Sequence, residues 1–474
     1  MFDVNNKNLP SEIQSANNIN RTNSNNECTN QKYIHRLNTN NSDCICLQNT
    51  QSSNNSPAKS QCGFFEMTWD IFKNIIGIGK RPTNTSAFSV KEPEVITAQT
   101  PLKIAEEQSI QSEKQNMTDI SKLSISEKRN LLKKLSAENN ENNNKDSIDK
   151  IVKSIGIDTR PLTEEIKNGF YEALSSIDSK DSKFRTFDFE NPDFKIGLEY
   201  SRENFIKDID EITSHLSEQD KNTVCGYFGF ELTNVYSHKV INGYPSILNN
   251  GDELEKIQNP ELKETIEKMQ PLVKNFSENN KIKIDEENEV SKEMNKIIKA
   301  FPEFLTEIGK KQHGTHSFTL DIHSLKVLQG VINNPDYEKL PQNDKTALKI
   351  VALFHDITKR EWINDKLHPL ESALDIKYLL QKLDIDESEK EKIYKIAKNH
   401  NWLELYNKRG SEIIPEIADE LKNGNDFKMA CILTEADLKA VQRNGMFYKC
   451  FKNDLERGKD EVGEAVDKLQ KLNK

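Results

Sequence analysis

The sequence predicts a mainly helical protein that ends in an all-helical bundle. From about residue 289 onward, apolar residues recur at the three- and four-residue spacing that places them on one face of a helix. Residues 147–288 mix short helical patterns with one stretch rich in aromatic residues and glycine. The first 146 residues are polar and rich in asparagine. We therefore predict a disordered leader with short helices over 1–146, a small mainly helical module over 147–288 and a helical domain over 289–474.

The leader is dominated by asparagine, which supplies 16 of the first 55 residues. Such a segment buries too little apolar surface to offset its ordering entropy, so we expect it to be disordered. One amphipathic island, residues 64–76, fits a short helix that docks on the main body, on a partner or on a membrane surface. Ser124 and Glu127 fit a capping box that opens a helix through Leu135. Residues 138–146 are predicted to be a second asparagine-rich gap.

The middle module contains two helical patterns and one possible hairpin. Apolar residues from Ile148 to Ile155 indicate a short helix, and a second helical pattern runs toward Ile177. The aromatic, glycine-rich run 224–232 and the turn at 243–245 allow one hairpin. We find no catalytic constellation here and interpret the aromatic run as core. The role of this module stays open.

Composition excludes several classes of protein. The chain has 474 residues and a formal net charge of −10, whereas a protein that holds phosphate backbones is normally basic. No window approaches the 18 or so apolar residues of a membrane span. The N-terminus lacks the basic start and apolar core of a signal peptide. We expect a cytoplasmic protein with no strong nucleic-acid signal and no membrane span, while protein partners of the N-terminal region stay unknown.

The C-terminal domain is predicted to be almost wholly helical. Pro369 fits the first position of one helix and Asp386 can cap the next. The last helix is expected to be broken near Gly458. The predicted helices cover roughly 290–300, 315–332, 344–358, 369–383, 387–400, 411–422, 426–442 and 446–472.

The most informative feature of the chain is the pair His355-Asp356, which follows the apolar run 347–354. A run this apolar belongs in a protein interior, and it carries an imidazole and a carboxylate inward with it. Burying an unpaired charge is prohibitive, so such groups shift their pKa, pair with each other or bind a metal.

Other candidate ligands lie on apolar helical stripes. His323 shares a stripe with Leu320 and Val327, His400 ends a stripe that begins at Ile393, and Asp437 lies within a third. Taken singly, each candidate has an ordinary interpretation. His400 would be a hydrogen-bonded core histidine, Asp437 an ion-pair partner, His368 a residue before a helix and His316 a solvated side chain. Together, imidazoles and carboxylates form the mixed donor set that divalent transition metals take.

The ordered series His323, His355-Asp356 and Asp437 resembles the HD superfamily of metal-dependent phosphohydrolases. Residues 355–359 resemble the family's signature of His-Asp, a hydrophobic residue, a small residue and Lys. Residues 316–325 resemble a string in the HD domains of uridylyl-removing and tRNA nucleotidyltransferase-like enzymes. The resemblance covers roughly residues 310–445 and implies that the C-terminal bundle is of the HD type.

The resemblance also implies roles for individual residues. His323, His355, Asp356 and Asp437 would hold one divalent ion. His368 and His400 stand where binuclear members place two further histidines, and would hold a second ion bridged by Asp356. The cofactor would be one or two divalent ions of Mn, Fe, Co, Ni, Zn or Mg.

Asp356 and Lys359 are the candidate catalytic residues. Lys359 would bind a substrate phosphate, although it also fits a solvated lysine at a helix end. His316, predicted to lie two helical turns before His323, is a candidate on the substrate side of the same cavity.

The expected function is metal-dependent hydrolysis of a phosphate ester or anhydride, with a nucleotide or related small phosphorylated molecule as substrate. The alternative is a regulatory or binding HD module with weak or no catalysis. A third possibility, nucleic-acid processing, is disfavoured by the acidic net charge.

Three departures from known relatives narrow the range of possible substrates. No nucleotidyltransferase half lies upstream, residues 359–361 replace the acidic pair of ppGpp hydrolases, and the Gly-Tyr-Pro at 243–245 lies too far upstream for a cyclic-di-GMP phosphodiesterase.

Overall fold

The computed structural model describes residues 120, 123–137, 141–248, 251–284 and 288–472. Over this part of the chain the protein is mainly helical with little sheet, which confirms the predicted fold class. The predictions for the leader before residue 120, including the island 64–76, lie outside the described residues. Among the described helices, none combines the length and the apolar composition that a bilayer span requires.

The first half of the described chain contains eight helices. The capping box is confirmed, because the backbone N–H of Ser124 donates to the Glu127 carboxylate at 2.8 Å and the Glu127 N–H donates to the Ser124 hydroxyl at 3.2 Å. The helices are α1 (Ile125–Ala137), α2 (Glu141–Ser154), α3 (Glu164–Asp178), α4 (Lys183–Thr186), α5 (Arg202–Thr213), α6 (Glu218–Tyr227), α7 (Gly251–Lys256) and α8 (Pro260–Lys274).

The predicted gap at 138–146 is wrong from Glu141 onward, where α2 begins. Asparagine is a poor helix former by a few tenths of a kcal/mol to about 0.7 kcal/mol, which tertiary packing readily overrides. Here Ile148 and Ile151 are buried and draw the preceding turn into the helix. The helix predicted toward Ile177 is confirmed as α3.

The predicted hairpin is confirmed as β2 (Phe230–Val235) paired with β3 (His238–Gly243), both antiparallel. A second antiparallel pair that the sequence did not reveal joins β1 (Gly197–Leu198) to β4 (Ile282–Lys283). The aromatic run is core, since Phe228 and Phe230 are buried. Gly229, at φ +79, must be glycine because a Cβ there would lie 2.5 Å from the Cα of Gly156.

The second half of the described chain forms the helical bundle. Helix α10 packs most extensively against α16, α12 against α13, and α17 against both α15 and α16. The helices are α9 (Glu289–Ala300), α10 (Leu320–Ile332), α11 (Gln342–Phe354), α12 (His368–Leu379), α13 (Glu387–Lys398), α14 (Trp402–Arg409), α15 (Ile414–Glu420), α16 (Asp426–Val441) and α17 (Met446–Leu472).

Several predicted boundaries differ from the observed ones. Helix α10 begins at Leu320 rather than at 315, α11 ends at Phe354 rather than at 358, and α14 was not predicted. The expected break near Gly458 is wrong, because α17 is continuous. Gly458 is buried, and a Cβ there would lie 2.9 Å from the Trp402 ring, so this glycine serves close packing. Pro369 lies in the first turn of α12, and Asp386 is the N-cap residue of α13.

One continuous hydrophobic cluster runs through both halves, from Ile125 in α1 to Ala440 in α16. A smaller cluster surrounds Trp402 and is covered by α17 through Leu455 and Val462. The main cluster packs against the elements that carry the predicted ligands and so fixes the positions of these elements.

Candidate metal centre

The six predicted ligands come from five separate segments that meet inside the bundle. His323 lies in the first turn of α10, and His355 and Asp356 lie in the turn that follows α11. His368 is the first residue of α12, His400 follows the end of α13, and Asp437 lies in α16. The structure therefore brings together residues that are dispersed over more than a hundred positions of sequence.

The first group of ligands is formed by His323, His355, Asp356 and Asp437. Nε2 of His323 lies 3.0 Å from Oδ1 of Asp437 and 3.7 Å from Oδ2 of Asp356. Nε2 of His355 lies 3.7 Å from the same Asp356 oxygen and 4.0 Å from Oδ1 of Asp437. His323, His355 and Asp356 each offer one atom within 4.8 Å of the other two, close enough to hold one ion, and Asp437 lies beside both imidazoles.

The second group is formed by His368, His400 and Asp356. Nε2 of His368 lies 2.9 Å from Oδ1 of Asp356, and Nε2 of His400 lies 3.5 Å from that atom. The two imidazole nitrogens are 3.2 Å apart. Asp356 therefore faces one group with Oδ2 and the other with Oδ1, so this carboxylate is shared.

Backbone carbonyls orient the imidazoles. Nδ1 of His355 lies 3.1 Å from the carbonyl of Ala352, and Nδ1 of His400 lies 2.7 Å from that of Ala397. The Nδ1 atoms of His323 and His368 lie near the carbonyls of Ala440 and Asp365 in the same way. A carbonyl can only accept, so each Nδ1 carries the proton and each Nε2 directs a lone pair into the centre.

Several polar atoms of the centre are buried without a hydrogen-bond partner: Nε2 of His323, Nε2 of His355 and Oδ1 of Asp356. His355 and His323 are completely buried, and Asp356 is 2% exposed. Leaving such atoms unsatisfied costs about 1–3 kcal/mol each, and more for a charged group. Converging nitrogen and carboxylate lone pairs suit a divalent cation, so these buried groups can hold a metal ion.

The protonation states also suit a cation. Burial lowers the pKa of His400 to about 3, and burial lowers the pKa of His355, so both imidazoles are neutral near pH 7. Burial alone would raise the pKa of Asp356, but the Lys359 ammonium and the neighbouring imidazoles hold it well below the usual value. Burial likewise opposes ionisation of Asp437, yet the adjacent His323 and, after it, His355 keep its pKa low. Neutral imidazoles and ionised carboxylates are the forms that bind metals.

Lys359 and His316 lie at the edge of the centre. Nζ of Lys359 lies 2.7 Å from Oδ2 of Asp356 and 3.4 Å from Nε2 of His316. The prediction that His316 lies on a helix is wrong, because α10 starts later, but its ring centroid is 5.6 Å from that of His323. Burial, followed by the charge of Lys359, lowers the pKa of His316 to about 3.

Sequence reasoning missed the side chains that hold the turn after α11. The hydroxyl of Thr358 lies 2.9 Å from that of Ser372, which joins the turn to α12. Arg360 donates to both oxygens of Asp365, and the carbonyl of Asp365 orients His368. Thr358 lies in the signature 355–359, but hydroxyl pairs and local Arg–Asp pairs are common in surface turns, so nothing in the sequence marks these side chains as the ones that hold this turn.

No family model matches the chain, and neither does any curated protein or any solved structure in the comparisons. The residues of the centre and their geometry are therefore the basis for a functional proposal.

Proposed function

We propose that the helical domain 289–474 is a metal-dependent phosphohydrolase of the HD type. Its substrate would be a phosphate ester or anhydride, in a nucleotide or related small phosphorylated molecule of the cytoplasm. The observation that supports this best is the position of Asp356 between two groups of inward-facing imidazoles. A structural core has no need for so many polar atoms without partners, whereas a binuclear or mononuclear cation site requires them.

The ligand set determines what would be bound. His323, His355, Asp356 and Asp437 would hold one divalent ion, and His368 and His400 would hold a second across the shared carboxylate. A divalent ion of Mn, Fe, Co, Ni, Zn or Mg supplies an activated water and neutralises charge that builds on a phosphoryl group. The main-chain carbonyls behind the imidazoles keep their Nε2 atoms aimed at that position.

The accessible edge of the centre indicates where a substrate would enter. The side chains of Asp437, His368 and Lys359 are 24%, 15% and 13% exposed, while those of His355 and Asp356 are at most 2% exposed. A phosphate would approach along this edge, where Lys359 provides a point charge that binds its oxygens. His316, in contact range of Lys359, lies on the same side and would border the substrate.

One observation favours the alternative, a regulatory or binding HD module. The Lys359 ammonium already neutralises the shared carboxylate of Asp356 at 2.7 Å, which a protein without a metal would use to stabilise the buried charge. In a binding module Lys359 would stay paired with Asp356. In a hydrolase it would turn to the substrate once a cation is bound.

Hydrolysis assays on the full chain distinguish a phosphohydrolase from a binding module without catalysis. The chain would be supplied with each divalent ion and tested against nucleotides, cyclic dinucleotides and generic phosphate esters. We expect metal-dependent phosphate release that is lost in Asp356→Ala and kept in Asp454→Ala, a change on the partly exposed face of α17. Release that is equal in wild type and Asp356→Ala, or no release from any substrate class with any ion, would favour the binding module.

A further inference from the structure

A cavity lies next to the turn that follows Asp356. Its wall is formed by the hairpin β2–β3, by Arg129 of α1, by Lys310 and by the segment 357–363. The cavity volume is about 50 Å³. None of the six predicted ligands lines it, although Ile357 and Thr358 follow Asp356 directly in the chain. The cavity is thus a neighbour of the metal centre and not a part of it.

Lys310 is the unusual residue of this cavity. It is 7% exposed, and among the described residues its ammonium makes no hydrogen bond and no ion pair. Other buried lysines of the described chain are paired. Lys382, for example, bonds both oxygens of Glu303 at 2.8 and 2.9 Å. An ammonium without a partner in a largely buried position is costly, so its presence here calls for a ligand.

The remaining charges of the wall neutralise one another. Arg129 pairs with Asp375 at 2.7 Å, and Arg202 pairs with Glu361, which lines the cavity, at 2.6 Å. Arg360 at the mouth pairs with Asp365 at 2.7 Å. Lys310 keeps its positive charge without an ion pair, and burial raises the pKa of the nearby Glu307 well above its usual value, which limits the negative charge that this carboxyl brings to Lys310.

The rest of the lining would strengthen the attraction for an anion. Val240 and Ile357 are buried apolar residues, and they reduce the local dielectric around the ammonium. Thr233 and Asn242 add side-chain groups able to donate hydrogen bonds. A lysine is a compact point charge, well suited to a phosphate-type oxyanion.

We propose that this cavity is a binding site for a phosphate-type oxyanion, held by Lys310 and distinct from the metal centre. The site joins the middle module to the segment after Asp356, so its occupant contacts both parts of the protein. The charged groups that face Lys310 are Arg202, Glu361, Glu307 and Arg129. Burial lowers the pKa of Lys310 to about 8, so the ammonium form prevails near pH 7 and is available to an anion.

Thermal unfolding of the full chain tests the site, because a ligand that binds the folded state raises the melting temperature by mass action. Inorganic phosphate should raise the melting temperature of the wild type more than potassium chloride at equal ionic strength. In Lys310→Met this phosphate-specific increase should disappear, while the melting temperature without phosphate stays equal or rises. Loss of stability in Lys310→Met without phosphate would show that Lys310 is structural and would overturn the proposal.

Two variants separate this site from other phosphate effects. Lys452→Met, on the exposed face of α17, should keep the increase. Asp356→Asn, which alters the metal centre, should also keep it, so failure of the hydrolase proposal and failure of this one give different results. An equal increase in wild type and Lys310→Met, or none in the wild type, would contradict the proposal.

A second measurement needs no variant and applies even if Lys310→Met does not fold. Sulfate keeps its charge between pH 7 and pH 9, whereas Lys310, with a pKa of about 8, loses its proton there. Sulfate affinity of the wild type should fall about tenfold over this range, as follows from the protonated fraction of such a group. An affinity that does not change with pH, or no sulfate binding at pH 7, would exclude Lys310 as the anion-binding group.

Discussion

The guanidinium of Arg129 lies 2.7 Å from the carboxylate of Asp375, although 246 positions separate the two residues in sequence. Both side chains are buried, and the second oxygen of Asp375 accepts the hydroxyl of Tyr244 at 2.6 Å. The contact ties α1 and the end of the hairpin to α12, the helix that begins with His368. The first described helix thus helps to hold one of the candidate metal ligands in place.

Removing the cation of this pair should be costly. Arg129→Met would leave Asp375 buried with only the Tyr244 hydroxyl, and we expect the free energy of unfolding to fall by about 3–5 kcal/mol. Arg160→Met is the control, because Arg160 pairs locally with Asp158 and its side chain is 71% exposed. That change should cost less than about 1 kcal/mol. Urea unfolding of both variants measures the difference, and equal losses would contradict a structural role for the Arg129–Asp375 pair.

Gly458 and Gly463 lie on the same helix and should respond oppositely to alanine. In Gly458→Ala the new methyl would lie 2.9 Å from the Trp402 ring, and overpacking should cost about 1–3 kcal/mol. In Gly463→Ala the methyl would lie 3.6 Å from Phe427, which is an ordinary contact. Because alanine is a better helix former than glycine, this change should stabilise the folded protein by up to about 1 kcal/mol. Thermal melts of the two variants measure this contrast. A stable Gly458→Ala would mean that Trp402 packs less closely than described.

The stability contribution of Lys310 should depend on pH. Its pKa is about 8 in the folded protein and 10.5 in the reference state, so between these values the unfolded chain binds the extra proton. The free energy of unfolding therefore rises with pH between about pH 8 and pH 10.5, and Lys310 accounts for about 3 kcal/mol of that rise. Without phosphate, Lys310→Met should be more stable than wild type at pH 7, and the two should converge toward pH 10.5. Denaturant unfolding at several pH values measures the difference, and a constant difference would contradict the depressed pKa.

Replacing Lys359 should lower the rate of hydrolysis without removing the bound metal, whereas replacing a metal ligand should lower both. Lys359→Met removes a charge-assisted contact to a substrate phosphate, worth about 1.5–3 kcal/mol, so hydrolysis should fall about 10–100-fold. Bound metal should be retained, because the change also frees Asp356 from its ion pair. Lys366→Met, an exposed change in the same segment, should alter neither quantity. Loss of metal together with activity would instead assign Lys359 a structural role.

Much of the site could be predicted because its residues follow helical periodicity. His323 and Asp437 lie on apolar stripes of α10 and α16, and such stripes face the core. The apolar run before His355 indicated that the pair with Asp356 is buried, and the pair is in fact buried. Local turns were less predictable. His316 was placed on a helix that starts later, yet the loop brings it beside Lys359 all the same.

The features that escaped prediction depend on contacts between distant segments. Arg129 and Asp375 carry no local signal of their pairing, and Lys310 looks in sequence like any surface lysine. Gly458 suggested a break because glycine is a poor helix former, but close packing against Trp402 favours it at that position. Asparagine at 142–144 suggested a gap for the same reason, and packing of the following apolar residues overrode it.

The central claim is that imidazoles and carboxylates from five segments hold a divalent cation. Its most direct test is the metal content of the folded full chain after supplementation with Mn, Fe, Co, Ni or Zn and removal of free ions. The account predicts one or two equivalents of bound metal in the wild type, lost in Asp356→Ala and unchanged in His215→Ala, whose half-exposed side chain lies away from the centre. Folded wild type that retains no metal, or an Asp356→Ala variant that retains as much as wild type, would contradict it.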